Sequence, residues 1–162
     1  MNIDWNNIVR ENGAAVYGVA WRILGHAADA EDIVQEVFLE SQQLGKPEKV
    51  RNWAGFLKQL ATFRSLDRLR RRKPSCPVDE SHASDSQSPE AATIARELQT
   101  ELREAIAQLP RQQSAVFCLR FFEDETNQQI AATLNMSESS VSTAINKAKS
   151  KLRTILEPSQ DQ

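Results

Sequence analysis

The chain has 162 residues, of which 40% are hydrophobic and 26% charged, and its formal net charge is -2. Its aromatic content of 6% and its five glycines argue against an all-β sandwich or barrel with many tight turns. It has no apolar run of transmembrane length, no secretory leader, and only two cysteines, too few for a zinc site or a disulfide framework. We therefore expect a cytoplasmic protein with no metal, no cofactor and no membrane insertion.

Three helices are predicted for the first half from apolar residues at helical spacing. The first spans residues 4–24 and the third residues 50–72. The second is expected to begin at a capping box, with Asp29 as the N-cap and Asp32 at the third helical position, and to end at Gly45.

Residues 74–89, PSCPVDESHASDSQSP, predict a flexible linker, because three prolines and five serines leave almost no apolar surface to bury. Charge is uneven around this segment: residues 1–73 carry a net +3, residues 74–99 a net -4 and residues 100–162 a net -1. The acidic average therefore does not exclude a nucleic-acid partner. A segment of this length reaches roughly 50–60 Å when extended, so the halves can occupy separate sites along DNA.

Four helices are predicted for the second half, over residues 90–108, 111–122, 127–134 and 139–156. A short turn joins the last two helices, and their apolar residues form one shared seam. Ser137, in this turn, is a good N-cap for the last helix. Two helices joined in this way are typical of a helix-turn-helix. The predicted fold is thus all-α, with a three-helix domain at 1–73 and a four-helix domain at 90–162.

The second helix of a helix-turn-helix presents its N-terminal residues to base edges in the major groove. Polar side chains that can bond to bases or phosphates are predicted on its exposed face, namely Ser139, Ser140, Ser142, Thr143, Asn146, Lys147 and Lys149. The alternative is an ordinary helical hairpin with a solvated basic face.

Basic residues crowd residues 64–73, next to the aromatic residues Trp53, Phe56 and Phe63 on the same predicted helix. Such a pattern favours a polyanion partner, with the aromatics stacking on unpaired bases. The alternative, which we prefer for the aromatics, is that they belong to the core.

The second predicted helix is acidic, and Asp32, Glu36 and Glu40 lie four residues apart in one row. The row could dock a basic protein partner, although spacing alone favours a solvated face. Catalysis finds no support: the chain has only two histidines and lacks the usual zinc-protease, phosphate-loop and nucleophile-elbow motifs. Cys118 is expected in the core.

Residues 29–38, DAEDIVQEVF, resemble the core-binding helix of region 2 in sigma-70-type transcription factors, and residues 56–61 and 66–72 resemble the rest of that region. Residues 109–120 resemble the start of region 4. Residues 129–131, 136–138 and 147–149 are similar to its helix-turn-helix. Two motifs in this order, in so short a chain, resemble the extracytoplasmic-function (group 4) sigma factors.

The resemblance implies a non-enzymatic specificity subunit of bacterial RNA polymerase. Region 2 would bind the clamp helices of core polymerase through Asp29, Asp32, Gln35 and Glu36. It would also bind and open the minus-ten element through Asn52, Arg64, Arg68, Arg70, Arg71 and Arg72. Region 4 would bind the minus-35 element through the exposed face of its second helix, and would touch the polymerase flap. Many family members are held by an anti-sigma factor, which makes one a further candidate partner.

The chain departs from the family pattern at four positions. It has Phe56 where Trp is usual, Phe63 where Asn is usual, and Ala144 and Asn146 where Arg and His are common. Two other functions stay open: a stand-alone helix-turn-helix regulator that binds duplex DNA without polymerase, and an adaptor that keeps the fold but has lost promoter opening.

Overall fold

The computed structural model describes residues 2–72 and 88–157, and the backbone over these residues forms helices and no strand. The all-α prediction is confirmed. The predicted linker lies outside the described residues except at its end. The helices are α1 (Trp5–Leu24), α2 (Ala27–Gln42), α3 (Trp53–Arg71), α4 (Pro89–Ala107), α5 (Arg111–Phe121), α6 (Asn127–Leu134) and α7 (Glu138–Leu156), and a 3-10 turn (Pro47–Lys49) precedes α3.

The predicted start of α2 is wrong. The N-cap is His26, whose Nδ1 accepts a hydrogen bond from the backbone N–H of Asp29 at 3.4 Å. Asp29 lies inside the first turn, because the helix begins at Ala27. The short connection is possible because Gly25 adopts a left-handed conformation (φ 64°) and donates its N–H to the carbonyl of Trp21.

Two other predicted boundaries also need correction. Pro89, the predicted last residue of the linker, is the first residue of α4, and Ser88 is the N-cap. Proline suits this position because its fixed φ matches the helix and its missing N–H has no helical partner there. The third helix begins at Trp53 rather than at residue 50, since the Asn52 side chain accepts from the N–H of Gly55.

The first three helices pack around one apolar core. Buried side chains from all three face each other there, including Val16, Val19, Ile23, Leu24, Ile33, Val37, Leu57, Ala61 and Leu66. The aromatics line its margin: Trp53 packs edge-on against both Trp5 and Phe56, with ring centroids 5.3 and 5.7 Å apart. These contacts agree with our preference for core aromatics.

The same core continues into the second half of the chain. Its other members are buried residues of α4, α5 and α7 and the α4–α5 connection, namely Ala105, Ile106, Leu109, Ala115, Cys118, Ala148 and Leu152. Cys118 is therefore a core residue, as expected, and burial raises the pKa of its thiol. The two halves pack against each other and share this core, although residues 74–89 separate them in the sequence.

A smaller, separate cluster holds the helix-turn-helix together. It contains Val116, Leu119, Ile130, Ala131, Val141, Ala144 and Ile145. A reciprocal capping box opens α6: Thr126 Oγ1 accepts from the N–H of Gln129 at 3.1 Å, and Gln129 Oε1 accepts from the N–H of Thr126 at 2.8 Å. Asn135 in the left-handed conformation ends α6, and Ser137 N-caps α7 as predicted.

Candidate nucleic-acid interface

Helix α7 presents the predicted recognition face to solvent. Val141, Ala144, Ile145 and Ala148 are buried at helical spacing, which turns the intervening positions outward. All seven predicted contact residues are exposed, namely Ser139, Ser140, Ser142, Thr143, Asn146, Lys147 and Lys149. The departure at Ala144 lies on the buried side, where it packs in the small cluster.

The exposed side chains of α7 differ in their own partners. Asn127 donates from Nδ2 to Ser142 Oγ at 3.1 Å, which ties α6 to α7. Thr143 Oγ1 donates to a carbonyl of the preceding turn at 3.0 Å. Asn146 and Lys147 have no hydrogen bond or ion pair with any other described residue. These two side chains are the ones on this face that a ligand can engage without breaking an internal bond.

Lysines continue the basic face toward the end of α7. Lys147, Lys149, Lys151 and Arg153 are all exposed. Lys149 differs from Lys147 because its ammonium lies 5.2 Å from the ring centroid of Phe121, at cation–π range. The contact holds Lys149 beside α5, whereas Lys147 projects freely.

A cleft of about 280 Å³ separates α5 from the recognition helix. Gln112 and Gln113 line one wall, and Ser139, Ser140, Thr143 and Lys147 line the other. Glutamine amides can both donate to and accept from adenine. Sequence analysis missed the two glutamines, because nothing in the local pattern of α5 indicates that it lies beside the start of α7.

Three of the arginines predicted to contact DNA, Arg64, Arg68 and Arg72, form ion pairs with the acidic helix. Arg64 forms two hydrogen bonds to the Glu40 carboxylate, at 2.8 and 2.7 Å, and these hold the pKa of Glu40 below its usual range. Arg68 contacts three carboxylates of α2: Asp29 at 3.1 Å, Asp32 at 2.9 Å and Glu36 at 3.6 Å. This one cation offsets the repulsion within the acidic row.

Arg70 and Arg72 also bond to elements other than α2. Arg70 donates to Ser114 Oγ at 2.7 Å, in the second half of the chain. Arg72 donates to the carbonyl of Leu24 at 2.6 Å and also to a carboxylate oxygen of α2. Arg71 is exposed and has no ion-pair partner among the described residues. Asn52, also predicted to contact DNA, is exposed but uses its side-chain oxygen to cap α3.

The acidic helix has an exposed face opposite its buried stripe. Asp32, Gln35 and Glu36 lie on it and are exposed, whereas Asp29 is 20% exposed and bonded to Arg68 and Arg72. Leu39 is one turn further along the same face, and 58% of its surface is exposed. Sequence analysis missed Leu39, although a large apolar residue seven positions after Asp32 was a readable signal.

The described residues contain no helix long and apolar enough to cross a membrane. Within residues 2–72 and 88–157, no three His, Cys, Asp or Glu side chains are grouped so as to hold a metal ion.

The Phe63 ring, at a position where the family usually has Asn, is covered by the Arg111 guanidinium at 4.6 Å. In this conformation Phe63 is not available to stack on a base.

Two family models match the chain: "Sigma-70 region 2" over residues 8–74 and "Sigma-70, region 4" over residues 99–152. The ECF RNA polymerase sigma factor SigW of Bacillus subtilis is 27% identical over 151 residues, which cover 85% of this chain and 81% of SigW. The ECF RNA polymerase sigma factor SigE of Mycolicibacterium smegmatis is 28% identical over 158 residues, covering 94% of this chain and 62% of SigE.

Two solved structures have a similar fold. The sigma factor RpoE of Bartonella quintana, in complex with the anti-sigma factor NepR, aligns with a TM-score of 0.56 at 15% identity, covering 97% of this chain and 99% of that one. The extracytoplasmic function sigma factor SigJ of Mycobacterium tuberculosis aligns with a TM-score of 0.53 at 22% identity, covering 86% of this chain and 50% of SigJ.

Proposed function

The chain belongs to the sigma-70 family of RNA polymerase sigma factors, and we propose that three of its surfaces perform promoter recognition. As a sigma factor it directs core polymerase to promoters, and its partners are core polymerase and promoter DNA. This conclusion rests on one observation: the region 2 and region 4 family models both match the chain, in that order, and together cover most of it. It also favours a sigma factor over a stand-alone regulator.

We assign core polymerase binding to the exposed face of α2. Asp32, Gln35 and Glu36 form its polar part, and Leu39 adds an apolar residue at the adjoining turn. Asp29 is less exposed and contributes through its bonds to Arg68 and Arg72, which fix the start of the helix. An acidic face of this kind fits a basic helical partner such as the clamp helices, because complementary charge speeds association and fixes register.

We assign minus-35 recognition to the exposed face of α7. Asn146, whose amide is free, would read base edges, and Lys147 would bind a phosphate. The serines and Thr143 lie nearer the start of α7, beside the cleft lined by Gln112 and Gln113. Lys149, held beside Phe121, would bind a phosphate at the edge of the site.

We assign minus-ten binding to the end of α3 and the loop before it. Arg71 would bind a phosphate directly because it is exposed and unpaired among the described residues. Arg64, Arg68, Arg70 and Arg72 would contribute only on exchanging their present partners for phosphates. Asn52 would bind DNA beside its capping bond.

The proposal also covers the mode of action, the cellular location and a further partner. The chain would act without catalysis and in the cytoplasm, as a tethered pair of domains at residues 1–73 and 90–162. An anti-sigma factor is a further candidate partner, since the similar RpoE structure is a complex with one.

The proposal is tested by charge reversal on α2. Asp32→Lys together with Glu36→Lys should weaken binding to core polymerase by at least tenfold and abolish promoter-specific transcripts. Asp32 and Glu36 are 53% and 47% exposed, so the pairs they form with Arg68 contribute only about 0–1 kcal/mol each to folding. The fold should therefore persist.

The matched control is the double variant Glu11→Lys and Glu97→Lys, which makes the same charge change at exposed positions on α1 and α4. Core affinity measured by fluorescence anisotropy should be unchanged in this control. Equal losses in both double variants would show that net charge, and not the α2 face, sets the affinity. No specific transcript from wild-type chain and core polymerase on any promoter of the source genome would overturn the sigma-factor assignment.

A further inference from the structure

We propose that Asn127 sets the hydrogen-bonding polarity of Ser142, so that the recognition helix donates a hydrogen bond to one base of the minus-35 element. Asn127 is the first residue of α6, and Ser142 lies in the second turn of α7. Asn127 is not among the residues predicted to contact DNA. The inference rests on the proposed function, because it concerns how the exposed face of α7 discriminates between bases.

The contact between the two side chains is a single directed hydrogen bond. Asn127 Nδ2 donates to Ser142 Oγ at 3.1 Å, although the residues are 15 positions apart in sequence. Ser142 is exposed, and Asn127 is half-buried. The small cluster under both helices, which includes Ile130 and Val141, fixes how α6 and α7 lie against each other. The donor therefore reaches the hydroxyl from a position that the core sets.

Only the donor end of the Asn127 amide reaches the recognition face. Its Oδ1 atom is buried and has no hydrogen-bond partner among the described residues. A buried oxygen without a partner costs stability, so hydrogen bonding within the fold does not by itself explain this side chain. A role in presenting Ser142 supplies the explanation that such an unpaired group needs.

The bond determines what Ser142 can still offer to a base. A serine hydroxyl has one proton and two lone pairs. Asn127 occupies one lone pair, and the proton has no acceptor among the described residues. A base that presents an acceptor can take this proton. A base that presents only a donor would use the second lone pair and leave the proton without a partner, which is unfavourable in a desolvated interface.

Thr143, the next residue along the chain, has the opposite polarity. Its Oγ1 donates to the carbonyl of Ser139 at 3.0 Å, so its proton is already bonded and its lone pairs remain to accept. Asn146, one turn after Ser142, has an amide that can both donate and accept. Two adjacent hydroxyls of similar size therefore differ in the base edge that each selects.

The bases differ in what they present in the major groove. Guanine presents the acceptors N7 and O6 and thymine the acceptor O4, whereas cytosine presents the donor N4. A Ser142 hydroxyl that donates should thus favour guanine or thymine over cytosine at the base that it faces. Adenine presents both an acceptor and a donor, so it should be tolerated.

The test inverts the polarity with one substitution, Asn127→Asp. A carboxylate only accepts, so Ser142 would donate its proton to it and keep lone pairs for the base. The variant should fold, because the first turn of α6 contains no acidic residue and a helix N-terminus favours negative charge. Gln128→Glu is the matched control, since it adds the same charge at the next, exposed position of that turn.

Each variant is assembled with core polymerase into holoenzyme. It is then mixed with a promoter of the source genome whose minus-35 element has been randomised. Sequencing of the bound DNA gives the relative affinity for each base at each position. Asn127→Ala, Ser142→Ala and the double variant Asn127→Asp with Ser142→Ala complete the set, and thermal melting establishes that each variant is folded.

We expect the wild type to favour guanine or thymine over cytosine by about fivefold at one position, the usual effect of one neutral hydrogen bond. Asn127→Asp should reverse this preference, whereas Asn127→Ala and Ser142→Ala should remove most of it. In the double variant the carboxylate should have no base-specific effect, because the hydroxyl is absent. Gln128→Glu should weaken binding to all sequences alike, since its charge repels the phosphates without changing Ser142.

A uniform loss of affinity in Asn127→Asp, with the base preferences of the wild type, would overturn the polarity proposal and leave the sigma-factor assignment intact. A reversal that persists in the double variant would do the same. If Asn127→Asp does not fold, an unchanged preference in Asn127→Ala would overturn the proposal. Absence of any base preference in the wild-type holoenzyme would instead overturn the assignment of α7 to minus-35 recognition.

Discussion

Replacing Ile130 with Ala tests whether the small cluster under the helix-turn-helix is an independent determinant of stability. Ile130 is fully buried among the α5, α6 and α7 side chains of that cluster. The change removes three carbons, which is about 2.4 kcal/mol at about 0.8 kcal/mol per buried CH₂. The residual cavity brings the expected loss of unfolding free energy to about 3–4 kcal/mol. In a domain of this size, that lowers Tm by roughly 10 °C.

Ile94→Ala is the matched control, because Ile94 is 57% exposed on α4 and loses little burial. Alanine also has the higher helix propensity, by a few tenths of a kcal/mol, so the control should be neutral or slightly stabilising. Both variants would be measured by urea unfolding followed by circular dichroism. Equal losses at the two positions, or a loss under about 1 kcal/mol for Ile130→Ala, would refute the reasoning from burial.

Three other predictions follow from single contacts. Lys147→Ala should weaken binding of holoenzyme to all promoter sequences alike and reduce the slope of log affinity against log salt by about 0.9, as expected for one phosphate contact; a change confined to some base sequences would contradict that role. Thr126→Ala should cost about 1 kcal/mol of unfolding free energy through loss of the capping box, and Thr126→Ser should restore most of it. The Arg64 bond lowers the pKa of Glu40, so the bond's contribution is present at neutral pH and lost as pH falls through that pKa. Glu40→Gln should therefore destabilise at pH 7 but have progressively less effect as the pH falls through the pKa of Glu40, and a pH-independent difference would contradict this.

The helices could be predicted from the sequence because each carries an apolar stripe at helical spacing. Helix α6 occupies the residues predicted for it, and in the structure Thr126 caps its start and Asn135 its end. The start of α2 could not be predicted correctly. Histidine is a poor N-cap by propensity, so Asp29 looked better, and only the left-handed Gly25 shows why the helix begins earlier.

Side-chain partners across the fold were beyond what the sequence could predict. The exposed face of α7 follows from helical periodicity, so its polar residues could be identified locally. The arginines of α3 could not, because a run of basic residues looks the same whether it faces solvent or the carboxylates of α2. Arg68 meets Asp29, which is 39 residues away in sequence, through packing of two helices that no local pattern specifies.

The shared core determines how a fragment that contains only the second half of the chain should behave. A fragment cut within residues 73–87 would keep the cluster of Val116, Ile130 and Val141, but it would remove the first-half members of the core to which Ile106 and Leu152 belong and expose these two residues to water. Such a fragment should be less soluble than the full chain and should protect its amides from hydrogen exchange unevenly, strongly around α6 and weakly along α4. In the full chain, α4 should exchange as part of the same cooperative unit as α1.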